Sequence, residues 1–142
     1  MLYVRDLMSV NLFTLQPTDS LKAAKSLMNL ARVRHIPVVD QQCRFVGLLT
    51  HRDILAVTIS LFAEVERTVQ DEIDSGIPVA EIMHPDVLTV SPETRLRDAA
   101  DTLLRHKYGC LPVVENGCLV GILTEADFLR LTISLMDAME QV

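Results

Sequence analysis

Apolar residues at Leu21, Ala24, Leu27, Met28 and Ala31 recur at three- and four-residue spacing, which places them on one stripe of a helix. Pro17 and then Asp19, a good N-cap, precede the stripe, so the pattern predicts an amphipathic helix of about three turns. The period then changes. His35 to Val39 and Phe45 to Leu49 are short apolar runs separated by the turn-like Asp40-Gln41-Gln42, which predicts two paired strands. Asn11 to Leu15 reads as a shorter extended segment ahead of the first helix. A second, longer helix is expected after Thr50, with Ile54, Leu55, Thr58, Leu61, Phe62 and Val65 along its inner side. The resulting order is β-α-β-β-α.

That order occurs twice. Residues 4 to 66 recur as 79 to 140 at a shift of 75 positions, matching Met8 with Met83, Thr14 with Thr89, Pro17 with Pro92 and Leu21 with Leu96. Pro37-Val38-Val39 likewise matches Pro112-Val113-Val114, and Cys43 matches Cys118. The second copy then loses one residue in its turn, so Thr50 corresponds to Thr124, and Thr58-Ile59-Ser60-Leu61 reappears as Thr132-Ile133-Ser134-Leu135. The expected organisation is a first repeat over 1–66, a linker over 67–78 and a second repeat over 79–142, forming one joint module. The fold class is α/β (α+β): two tandem β-α-β-β-α repeats related by an approximate two-fold. The acidic run Glu64, Glu66, Asp71, Glu72 and Asp74 reads as a solvated helix end and loop. Calcium ligands would need tighter, loop-like spacing with a glycine inside it.

Each repeat carries one stretch of candidate chemistry. Gly47-Leu48-Leu49-Thr50-His51-Arg52-Asp53 returns as Gly121-Ile122-Leu123-Thr124-Glu125-Ala126-Asp127, a strand running into a helix. Two readings stand side by side. As a capping box, the threonine oxygen accepts an amide of the first turn while the aspartate reaches back to the helix start. As a ligand site, the carboxylate accepts ribose hydroxyls and the helix amides face phosphate.

Composition narrows the classes. With 142 residues, 49% of them hydrophobic, the chain can bury one core or two small ones that share it. A net charge of −6 excludes a general nucleic-acid binder, so an anionic ligand must be met by local basic groups. Cys43, Cys110 and Cys118 form no CxxC pair and leave an odd thiol, which suits a reducing compartment. The first residues lack the basic end and apolar core of a signal peptide, and Ile54 to Ala63 is too short and too hydroxylated to span a bilayer. A cytoplasmic protein is expected, with neither a membrane nor a nucleic acid as partner. His35, His51, His84 and His106 show no metal-like spacing, and no GxSxG or glycine-rich phosphate loop occurs. No enzyme, no catalytic residue, no metal site and no catalytic cofactor are therefore expected.

Arg34-His35-Ile36-Pro37-Val38-Val39-Asp40 with Gly-Leu-Leu-Thr-His-Arg-Asp, and Cys110-Leu111-Pro112-Val113-Val114-Glu115 with Gly-Ile-Leu-Thr-Glu-Ala-Asp, resemble the tandem cystathionine-β-synthase (CBS) domain pair, or Bateman module. The resemblance covers nearly the whole chain. It implies an adenosine-containing ligand such as AMP, ADP, ATP or S-adenosylmethionine in clefts between the repeats, a homodimer, and control of a separate effector protein. A ligand-free dimerisation or interaction scaffold is the alternative. By the same resemblance, Asp53 and Asp127 fall on ribose-binding aspartates, Thr50 and Thr124 on a hydroxyl contact to ribose or phosphate, and Thr14 and Thr89 beside the base. Arg34, His35, His51 and Arg52 fall where basic groups meet phosphate. The second copy has Gly109, Cys110, Glu125 and Ala126 in those places, so phosphate preference is expected at the first motif. For the dimer, apolar residues Ile59, Leu61, Phe62 and Val65 and their counterparts Ile133, Leu135, Met136 and Met139 are the expected contact.

Overall fold

The computed structural model describes residues 1–61, 67–106 and 109–141, with side chains excepted at 58–61 and 67–68. The elements in chain order are α1 (Val4–Leu7), α2 (Leu21–Ala31), β1 (His35–Val39), β2 (Phe45–Thr50), α3 (His51–Leu61) and α4 (Arg67–Gly76). A 3₁₀ turn at Val79–Glu81 follows, then α5 (Leu96–Arg105), β3 (Cys110–Glu115), β4 (Cys118–Thr124) and α6 (Glu125–Glu140). They form two compact units, and these cut across the sequence repeats. One unit is Phe13–Val87; the other joins Met1–Leu12 to Leu88–Val142.

In the unit of residues 13–87, β1 and β2 pair antiparallel with His35 opposite Thr50 and Pro37 opposite Leu48, and a bulge falls between Val38 and Val39. The expected first strand shrinks to one parallel bridge: Leu15 donates to the Pro37 carbonyl at 3.1 Å and accepts from the Val39 amide at 2.8 Å. Leu21, Ala24 and Met28 of α2 close over Ile36, Val38, Leu49, Ile54 and Val79 to make the core. Two details differ from the periodicity reading. Ser20, not Asp19, caps α2, its hydroxyl accepting the Ala23 amide at 3.1 Å, while Asp19 instead accepts the Gln16 amide at 2.7 Å. Leu55 is exposed, because α3 buries the face that carries Ile54.

The acidic stretch also departs from expectation. Residues 67–76 form α4, which packs on α2, and Asp74 is buried rather than solvated. Its carboxylate accepts from Lys25 Nζ at 2.6 Å and from Gln70 Nε2 at 2.7 Å. A buried charge persists only when paired and hydrogen-bonded, and these two donors supply both conditions. Glu64 and Glu66 lie outside the described residues.

The other unit repeats the plan. β3 pairs antiparallel with β4, with Cys110 opposite Thr124, Pro112 opposite Ile122 and a bulge between Val113 and Val114. Val90 makes the parallel bridge that Leu15 makes in the first unit. Its turn is one residue shorter, and Asn116 and Gly117 take it at φ 53° and 81°, the two positive φ values of a type I′ hairpin. Leu96, Ala99 and Leu103 of α5 pack with Val4, Leu111, Val113 and Leu123.

Candidate functional site

The two threonine–aspartate turns are built alike. At the start of α3, the Thr50 amide donates to Asp53 Oδ2 at 2.9 Å, the Thr50 hydroxyl donates to the same oxygen at 2.7 Å, and the Asp53 amide returns to Thr50 Oγ1 at 3.3 Å. At the start of α6, the Thr124 amide and hydroxyl donate to Asp127 Oδ2 at 2.8 and 3.2 Å. Both turns therefore cap their helices. The cap contacts all fall on one carboxylate oxygen, Oδ2, and do not involve Oδ1.

Tertiary packing adds a second layer that the motif does not contain. Met83 and His84 lie against β2, with the His84 amide donating to the Leu48 carbonyl at 2.8 Å and the Leu48 amide to the His84 carbonyl at 2.9 Å. A Cβ at Gly47 would stand 2.6 Å from Met83 Sδ and 3.1 Å from the His84 carbonyl, so the glycine is what admits this segment. Met8 and Ser9 sit on β4 in the same way: the Ser9 and Ile122 backbones exchange bonds of 2.9 and 3.0 Å, and a Cβ at Gly121 would stand 2.7 Å from Met8 Sδ. The backbone matches; the side chain does not. His84 Nε2 lies 2.6 Å from Asp53 Oδ1, an ion pair when the imidazole is protonated. At Asp127 the corresponding residue is Ser9, and among the described residues nothing donates to Oδ1.

The basic candidates separate from this carboxylate. Arg34 and His51 line a cavity of about 550 Å³ between the end of α2 and the start of α3, together with Lys25, Arg32, Ile54 and Leu55. Two residues apart on a helix, His51 and Asp53 point about 200° from each other, so they occupy opposite sides of the helix start. Lys25 and Arg32 were not among the residues expected from sequence, because on α2 they read as ordinary solvent-facing positions. Arg32 ends α2 at φ 54°, a left-handed helix terminus. Arg52 is exposed and outside the cavity lining; His35 is half-buried at the first position of β1. Thr14 and Thr89 are both exposed, one residue before the bridging Leu15 and Val90.

In the second unit the corresponding surroundings carry different chemistry. Gly109, Glu125 and Ala100 stand where Arg34, His51 and Lys25 stand in the first. Cys110, counterpart of His35, is 2% exposed, and burial together with the Asp127 charge pushes its thiol up to about 12. A neutral, buried thiol is a packing residue, not a nucleophile. Among the described residues no group of three or more side chains could hold a metal, and no helix is long and apolar enough to cross a membrane.

The family model for the CBS domain matches residues 4–60 and 79–134. Among solved structures, a putative acetoin utilization protein (AcuB) from Vibrio cholerae is similar at 35% identity and TM-score 0.82, covering 100% of this chain and 98% of that one. CBSX2 of Arabidopsis thaliana, solved in complex with AMP, is similar at 32% identity and TM-score 0.80, covering 96% and 99%. An uncharacterised protein of Methanocaldococcus jannaschii is 31% identical over 90% of the chain, and the chloroplastic CBSX1 of Arabidopsis thaliana is 33% identical over 88%. The chain spans 42% and 61% of those two proteins.

Proposed function

The chain belongs to the CBS-domain family, and on that premise we propose that it is a ligand-sensing regulatory module, binding an adenosine-containing nucleotide at its two threonine–aspartate turns and controlling a separate effector protein. The observation that carries the reading is the duplicated turn itself, in which the cap uses only Oδ2 of Asp53 and again only Oδ2 of Asp127. Two vicinal ribose hydroxyls can donate to one carboxylate, each such bond being worth about 1.5–3 kcal/mol. AMP bound to the similar CBSX2 supports an adenosyl ligand.

Phosphate is assigned to the first unit. Arg34 and His51 border the cavity on the far side of the α3 start from Asp53, and Arg32 adds a further basic group, while the Lys25 charge there is offset by Asp74. A nucleotide lying across the helix start would set ribose on Asp53 and phosphate toward the cavity. Its phosphate would also face the amide end of the helix dipole. In the second unit, Glu125 replaces His51 and opposes an anion by about 1 kcal/mol at a solvated position. Calorimetry with AMP and adenosine tests this: Arg34→Ala should weaken AMP about fivefold, less so at high salt, and leave adenosine unchanged. Equal loss of both ligands would remove Arg34 from phosphate recognition, and no binding of either would favour the ligand-free scaffold.

The regulatory module is further proposed to act as a homodimer. Leu129, Ile133, Leu135, Met136 and Met139 of α6 are all more than half exposed, more apolar surface than one helix normally leaves in water. The side chains of Ile59 and Leu61, and Phe62 and Val65 entirely, lie outside the described residues. Sedimentation at micromolar concentration should give twice the chain mass, and a monomer there would contradict the dimer.

A further inference from the structure

The two carboxylates are not equally available, and the difference lies in one side chain. Each carboxylate oxygen offers two lone-pair directions, about four acceptor sites in all. At Asp53 the Thr50 amide and hydroxyl take both directions on Oδ2, and His84 Nε2, 2.6 Å away, takes one on Oδ1. One direction remains. A ribose diol brings two donors, so both hydroxyls are accepted only if an existing donor withdraws. Thr50 is fixed by the strand and the helix start; the imidazole, on a side chain 39% exposed, is the donor that can give way. At Asp127 the Thr124 donors again share Oδ2, and among the described residues Oδ1 receives no other donor. Both directions on Oδ1 are open there.

Resting on the adenosyl-ligand reading above, we propose that His84 is a built-in competitor for the ribose-accepting oxygen of Asp53, so that an uncharged adenosine fills the Asp127 site before the Asp53 site. The backbone supports a swap of this property. Residues 83–84 and 8–9 hold the same paired seat on β2 and β4, so position 9 is the backbone equivalent, toward Asp127, of position 84 toward Asp53. A ligand at Asp53 must first displace the His84 hydrogen bond, whereas one at Asp127 displaces no such bond. Phosphorylated ligands recover the difference through the basic cavity beside α3; adenosine cannot.

The experiment is adenosine calorimetry with one site silenced at a time. In an Asp127→Ala background, His84→Ser should strengthen adenosine binding at Asp53 about tenfold, the size of one charge-assisted hydrogen bond. His84→Gln, which keeps an N–H donor of similar reach, should stay within about threefold of the unmodified histidine. In an Asp53→Ala background, Ser9→His should weaken adenosine binding at Asp127, again by about tenfold. Adenosine binding that is unchanged or weaker in His84→Ser, while the Asp53→Ala protein still binds adenosine at Asp127, would overturn the competitor role alone. Unaltered binding in Ser9→His would overturn it independently. Absence of adenosine binding at both sites of the parent protein would overturn the adenosyl reading, and this proposal with it.

Discussion

The turn at Thr50–Asp53 and the turn at Thr124–Asp127 share a cap, a glycine seat and a strand register, yet they stand in different company. The first meets His84 and lies near a cavity bordered by Arg34, His51, Lys25 and Arg32. The second has Ser9 in the place of His84, with Glu125, Gly109 and a buried Cys110 in the places of His51, Arg34 and His35. The frame that presents a carboxylate at a helix start is common to both units. What surrounds that carboxylate is not: a histidine and nearby basic side chains in the first unit, a serine seat and a glutamate in the second.

Removing each carboxylate separates these roles with the largest effect. Asp53→Ala and Asp127→Ala should each abolish adenosine binding at their own site, a loss of about 100-fold or more, since two hydroxyl bonds to a charged acceptor disappear together. Their stability costs should differ. Asp127→Ala removes a cap, about 1 kcal/mol, whereas Asp53→Ala also removes the His84 pair and should cost about 2 kcal/mol in denaturant melts. Equal stability costs would break the comparison.

A smaller effect should be the same in both units. Gly47→Ala and Gly121→Ala press a Cβ to within 2.6 and 2.7 Å of Met83 Sδ and Met8 Sδ, and to 3.1 Å from the backbone carbonyl that follows each methionine. The methionine can move; the paired backbone cannot move as freely. Each variant should lose about 1–2 kcal/mol by chemical denaturation. A loss confined to one glycine would show that the two seats are not equivalent.

The smallest effect is an alkaline one and belongs to the second unit. The Cys110 thiol is raised from 9.0 to about 12 by burial and by the Asp127 charge, so the folded state favours its protonated form. A raised acid contributes stability that is complete below the unfolded value and lost as pH climbs toward the folded one. Between pH 9 and pH 10 the protein should lose about 1 kcal/mol that Cys110→Ala does not lose. Thermal melts across that interval measure it. His35, the counterpart in the first unit, has no thiol to titrate there.

Much of this architecture was legible before the fold. The apolar run His35–Val39 is β1 without adjustment, and Leu21, Ala24 and Met28 are the buried stripe of α2. Thr50 with Asp53, and Thr124 with Asp127, make the predicted cap contacts because a cap involves residues three apart, a separation that sequence spacing expresses directly. Less legible was the first strand, which a single bridge at Leu15 replaces, since an extended segment takes its pairing from elsewhere in the chain. Asp74 was misplaced for a related reason. An acidic run predicts solvent, and only packing of α4 on α2 brings Lys25, 49 positions away, to its carboxylate.

The sequence by itself determined the duplication, the hairpin and its two flanking helices within each copy, and the two carboxylates at helix starts, all of which depend on hydrophobic period and on contacts within a turn. Only the tertiary structure decided which residues those carboxylates meet. His84 reaches Asp53 across 31 positions because residues 83–84 pair with β2 and because Gly47 has no side chain to obstruct them. Arg34 and His51 share a cavity with Lys25 and Arg32 because the end of α2 is folded against the start of α3. Encounters of this kind depend on how distant segments pack, and distance along the chain carries no record of them.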